Sequence, residues 1–190
     1  MKGDLARAIE VLERGMPLCE AGGDLAVYFS RTAASLGGAY ALAGRLDEAV
    51  SLLERADRHA ESIGFAYGHA LVITTLAEAT LLRGEVENAT CAADRALALA
   101  RHHGQRGWEA WTLRVQGEIA AAAGDRVVAG ARYREALVLA SELGMRPLAA
   151  HCQLGLGRLT GDRGALSAAC EAYRAMDMTH WRRQAEALLV

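Results

Sequence analysis

The chain has 190 residues, 52% hydrophobic but only 5% aromatic, with two prolines and a formal net charge of −2. That balance excludes the broad basic field of a nucleic-acid binder. No stretch reaches the roughly 18 unbroken apolar residues of a membrane span. The opening residues, from Met1 through Lys2, Gly3 and Asp4 to Leu5, lack the apolar core of a secretory signal. Cys19, Cys91, Cys152 and Cys170 form no CxxC pair, so reduced thiols and a cytoplasmic location are expected.

Two glycine series divide the chain: Gly44, Gly84, Gly124 and Gly64, Gly104, Gly144, each with a step of forty residues. A fixed period of this size is the signature of a repeat array. Each unit reads as two helices, one closed by each glycine, because a helix end often needs a left-handed residue without a Cβ. Taken in order, the ten expected helices are roughly 4–20, 25–43, 46–63, 66–83, 86–103, 106–123, 126–143, 146–159, 163–176 and 179–189. Pro17 is expected to kink or stop the first. In the third, Ala49, Leu52, Leu53 and Ala56 share one face, and Glu48, Glu54, Arg55 and Arg58 the other. The fifth repeats the apolar face with Ala89, Ala93, Ala96, Leu97 and Ala100. The seventh repeats it with Ala129, Tyr133, Ala136, Leu137 and Ala140.

The series Leu36, Gly37, Tyr40, Gly44, Ala49, Leu53 and Ala56 resembles the tetratricopeptide repeat signature. The resemblance covers nearly the whole chain. It implies an all-α, right-handed α-α superhelix of about ten antiparallel helices in a single domain, 1–190. Its repeats fall at about 25–65, 66–105, 106–145 and 146–178, with half repeats at both ends. It also implies that small residues sit where the paired helices cross: Gly37, Ala77, Gly117 and Gly157 on the first helix, and Ala49, Ala89 and Ala129, then Ala56, Ala96 and Ala136, on the second. The forty-residue length departs from the usual thirty-four. It is similar to the longer repeats of bacterial signalling and transcription regulators. The tail, Gly155 to Leu159 and Met176 to Leu189, resembles the C-terminal repeats of large bacterial regulators that join a cyclase or DNA-binding domain to an ATPase module. From Gly144 to Asp177 the step is 33 residues, a loss of seven. Seven residues are about two helical turns, so shorter helices in unchanged register are expected. The chain opens on a second-type helix and closes on a first-type helix. This predicts a piece of a longer protein or a covering partner, with Leu5, Ile9 and Leu12 as a bare stripe suited to homodimer formation.

No catalytic or metal motif emerges. His102 and His103, adjacent on a helix, diverge by about 100° and make poor co-ligands; a cation at the helix C-terminus is the simpler reading. No histidine has a ligand partner at helical spacing. His151 beside Cys152 predicts a buried thiol and a groove-facing imidazole, not an activated nucleophile. Asp47, Glu48, Glu85, Glu87 and Asp125 fall at helix starts, where carboxylates complement the dipole. The expectation is a chain that is not an enzyme and has no cofactor, catalytic residue or metal.

In the family that the sequence resembles, first helices line the concave surface. Carried over by position, this implies a partner-binding groove of Arg31, Thr74, Glu78, Trp108, Trp111, Arg114, Glu118, His151 and Arg158. Trp108 and Trp181 are also read as packing residues between repeats. The implied function is a scaffold presenting that groove to a protein or peptide segment, other domains of the same parent chain included, with no direct contact to nucleic acid or membrane. Its setting would be the regulatory part of a bacterial regulator. The alternative is a module that senses a small ligand and controls an attached output domain.

Overall fold

The computed structural model describes residues 4–21, 28–64, 66 and 68–189. These form ten helices: α1 (Leu5–Glu20), α2 (Phe29–Leu42), α3 (Leu46–Ser62), α4 (His69–Leu82), α5 (Val86–His102), α6 (Arg106–Ala122), α7 (Arg126–Glu142), α8 (Arg146–Thr160), α9 (Arg163–Ala175) and α10 (Thr179–Ala187). No strand occurs among the described residues. The helices fall into two compact units, Asp4–Gly104 with α1–α5 and Gln105–Val190 with α6–α10. Within each unit every helix packs on its chain neighbours. Two further contacts, α2 on α4 and α6 on α8, join first-type helices of successive hairpins.

The two glycine series end helices as expected. All six members have φ between 62° and 87°. At Gly124 the following amide, Asp125 N, bonds back to Ala120 O at 2.9 Å, a closure that needs the left-handed turn. Where the repeat has lost seven residues, Asp177 takes this position with φ 54°. Six of the seven come out of one helix pair: α8 has 15 residues and α9 has 13, against 17 in each of α6 and α7.

One start differs from the sequence reading. Residues 22–27, 65 and 67 lie outside the described residues, and so does the expected start of the second helix at 25. The fourth begins at His69, not 66, because Gly68 has φ 85° and serves as its N-cap. α1 continues through Pro17 to Glu20. Proline removes only one amide donor there, one turn before the end, so the helix does not stop. The stripe Leu5, Ile9 and Leu12 is not bare: all three are half-buried. Ile9 and Leu12 pack on the core that α1 shares with α2 and α3.

Small residues sit at the helix crossings, opposite large ones. A Cβ added to Gly37 of α2 would lie 2.6 Å from Leu53 of α3. One added to Gly117 of α6 would lie 2.8 Å from the Tyr133 ring of α7, and one on Gly157 of α8 would lie 2.6 Å from Leu166 of α9. Ala49, Ala89 and Ala129 are each 0% exposed. Ala89→Leu should therefore overpack the α4–α5 crossing and cost about 1–3 kcal/mol. Urea denaturation reads this directly; an unchanged midpoint would contradict the assignment of Ala89 to a crossing.

Candidate partner-binding face

Three first-type helices of the Gln105–Val190 unit bring one layer of rings together. Trp111 on α6 and His151 on α8 have centroids 5.7 Å apart. Trp181 on α10 meets the same imidazole edge-on at 4.5 Å. From behind, Tyr173 on α9 shares a 2.8 Å hydrogen bond with His151 Nδ1. These residues come together because each first-type helix carries its layer member at the inward register of its own repeat, while α9 supplies the tyrosine from the core side. Trp111 and Trp181 remain half-buried, whereas His151 is buried and Tyr173 is fully so.

Charge is arranged around the rings at two depths. Arg114, one turn after Trp111, is 2% exposed. Its guanidinium carbon lies 5.2 Å from the Trp111 ring centroid, and Nη1 donates to Glu118 Oε1 at 2.6 Å. A buried guanidinium needs such a partner, since an unpaired buried charge is very costly. Arg158 by contrast is exposed at the rim. It donates to Gln184 Oε1 at 3.1 Å, and Gln184 Nε2 donates to His180 Nε2 at 2.9 Å. Burial, reinforced by the Arg114 charge, pushes the His151 pKa well below the usual imidazole value. Burial pushes the neighbouring Cys152 thiol up to about 12, so it stays protonated and unreactive at neutral pH.

The sequence-derived residues are thus placed at different depths. Trp111, Arg114, Glu118 and His151 form one connected cluster, with Arg158 at its rim. His151 does not face a groove as an exposed imidazole: it fills the space between Trp111, Trp181 and Tyr173, which leaves it 8% exposed. Trp108 is half-buried one turn before Trp111, its carbonyl accepting from the Thr112 hydroxyl at 2.8 Å. Arg31, Thr74 and Glu78 belong to the Asp4–Gly104 unit: Arg31 is exposed on α2, Glu78 half-buried on α4, and Thr74 buried with its hydroxyl bonded to Ala70 O at 2.7 Å.

Sequence reasoning left Trp181, Tyr173, His180 and Gln184 out of the site. Trp181 was legible, since it shares a repeat position with Trp108. Tyr173 was not, because it lies on a second-type helix and enters from the core. A second cluster was also missed. Asp57, Glu61 and His69 of the Asp4–Gly104 unit each bring a potential ligand atom within 4.8 Å of the others. The signal was Asp57 itself, an acid on the apolar stripe of Leu53, Ala56 and Ala60. The same unit has an open recess of about 610 Å³ between α1, α2 and α3, lined by Glu13, Met16, Tyr40, Leu52 and Arg55 among others. Its charges are engaged: Glu13 with Tyr40 and Arg45, and Arg55 with Glu20.

No protein-family model matches the sequence, and neither does any curated protein. Solved structures do. BtubC (BKLC) from P. vanneervenii superposes with a TM-score of 0.64 and 16% identity, over 98% of this chain and 73% of that one. A putative kinesin light chain from Podosopora anserina, described as having nearly identical TPR-like repeats, superposes with a TM-score of 0.58 and 17% identity, over 97% of this chain and 88% of that one. The chain has the tetratricopeptide-like helical-repeat fold. At such low identity the likeness concerns the fold alone. Among the described residues no helix is long and apolar enough to cross a membrane.

Proposed function

We propose that this chain is a non-catalytic binding scaffold that holds an extended protein segment on the α6–α8–α10 face. The observation that carries this reading is the half-exposed pair Trp111 and Trp181, held rigid from behind by His151 and Tyr173. Tryptophan backed by a fixed layer loses little entropy on binding and offers large apolar area, which is why it dominates interface hot spots. Arg158, exposed at the edge of this layer, supplies a guanidinium fork suited to a carboxylate. The segment that fits is therefore one with an apolar side chain next to an acidic residue or a C-terminal carboxylate. Arg114 does not contribute a fork to the partner: its guanidinium is buried against Trp111 and Glu118. The wider setting, a regulatory part of a bacterial signalling or transcription protein that receives a segment of its own parent chain, extends the same reading.

Selection from a random peptide library displayed with free C-termini tests the proposal. The expected result is enrichment of peptides with an apolar residue beside a carboxylate. Trp111→Ala and Arg158→Ala should each weaken the selected peptide by about tenfold or more, the range of a hot-spot truncation. Helicity should be unchanged, since both side chains reach the surface. If no peptide class is enriched, or if the two variants bind as the parent does, this face is not the binding surface.

A further inference from the structure

α3 carries an acid where its apolar stripe should continue. Asp57 is 8% exposed. A carboxylate so far from water needs close partners. Its Oδ1 lies 2.6 Å from His69 Nε2, and its Oδ2 accepts from Arg95 Nη2 of α5. His69 is also 8% exposed and is held in place as the first residue of α4. One turn along α3, Glu61 reaches the same spot, its Oε1 3.5 Å from Arg95 Nη1.

The geometry points to a site for a divalent first-row transition ion of zinc's kind, held by Asp57 Oδ1, His69 Nε2 and a Glu61 carboxylate oxygen. One imidazole nitrogen and two carboxylate oxygens suit such an ion, and the two negative charges balance its own. Ligand bonds of about 2.0–2.2 Å place neighbouring ligand atoms roughly 3–3.5 Å apart. The His69–Asp57 contact therefore opens slightly and Glu61, on the exposed side, closes in. Water completes the coordination from that side. Arg95 does not have to leave Asp57. It holds Oδ2, while the ion takes Oδ1 in place of the hydrogen bond to His69, and an outer partner that orients a ligand in this way is the usual companion of a metal site. Only its longer contact with Glu61 is released. The ion would clip α3 to α4, adding RT ln(1 + c/Kd) to the stability of the Asp4–Gly104 unit, with c the free ion concentration.

Titration of the untagged full chain with Zn²⁺ by calorimetry, and with Co²⁺ by visible absorption, tests the site. The expected result is one ion per chain with a dissociation constant in the micromolar range or tighter, and Co²⁺ bands of four- or five-coordination. Glu61→Gln and His69→Gln should each weaken binding at least tenfold, and replacing both His102 and His103 by Ala should leave it unchanged. Glu61 is exposed, so Glu61→Gln should keep the fold and remains decisive should His69→Gln fail to fold. No stoichiometric binding, or binding that survives Glu61→Gln and is lost with His102 and His103, would overturn the assignment.

Discussion

Gly155→Ala should unfold at clearly lower denaturant than the parent chain, by about 1–3 kcal/mol or somewhat more. The sign is informative, because the intrinsic effect runs the other way. Alanine is favoured over glycine inside a helix by about 1 kcal/mol. At Gly155 a Cβ would stand 2.6 Å from the Tyr133 ring. The ring is crowded by Gly117 as well, whose added Cβ would lie 2.8 Å from the same Cδ1 and Cε1 atoms. Tyr133 is 4% exposed and its ring is rigid, so the overlap must be relieved by moving α6 or α8. Tyr133→Leu in the same chain should recover part of the loss by making room. Gly15→Ala on α1 supplies the contrast: nothing lies within 4 Å of its Cβ, and it should stabilise by about 0.4–1 kcal/mol. If Gly155→Ala behaves like Gly15→Ala, the glycine is not there to admit the tyrosine.

That pairing also shows why the fold was legible from sequence and the site only partly. The period of forty reaches the eye through backbone needs, a left-handed glycine after each helix from α2 to α8 and a small residue at each crossing, and these recur from repeat to repeat. The expected shortening of the last hairpin followed from counting residues against 3.6 per turn, and α8 and α9, with 15 and 13 residues, are shorter than the 17-residue α6 and α7 of the hairpin before them. Side-chain depth follows no such period. Arg114 and His151 occupy inward register positions, yet both are buried: Trp111 and Trp181 flank the imidazole while Tyr173 backs it from the core, and the guanidinium lies against Trp111 and Glu118. Nothing in one helix's pattern shows how large the neighbouring helix's residues are. The Asp57–His69 contact was hidden for the same reason. An acid in an apolar stripe announces that a partner exists, but the partner is the first residue of α4, a helix whose start the sequence reading placed too early, at 66 instead of His69.

The buried layer should make the chain acid-sensitive in a specific window. His151 titrates well below the ordinary imidazole value in the folded chain, because burial and then the Arg114 charge disfavour its protonated form. In the unfolded chain it titrates near 6.5. Between these two values the unfolded state holds the extra proton, so stability rises with pH there. The contribution is complete above about pH 6.5 and is lost as pH falls toward the lowered folded value, at about 1.4 kcal/mol per pH unit. Comparison with His151→Phe alone would mislead, since it strands the Tyr173 hydroxyl, whose residue is 0% exposed, at a cost of about 1–3 kcal/mol. Replacing His151 and Tyr173 together by Phe removes both partners and should leave stability at pH 7.5 close to the parent's. Denaturation of parent and double variant from pH 7.5 to 5 then isolates the histidine, because the carboxylates and the other histidines are present in both. The double variant should fall behind or match the parent at neutral pH and overtake it as the solution is acidified. Parallel pH profiles would mean that His151 is solvated and free to protonate, and that the ring layer behind Trp111 and Trp181 is open rather than packed.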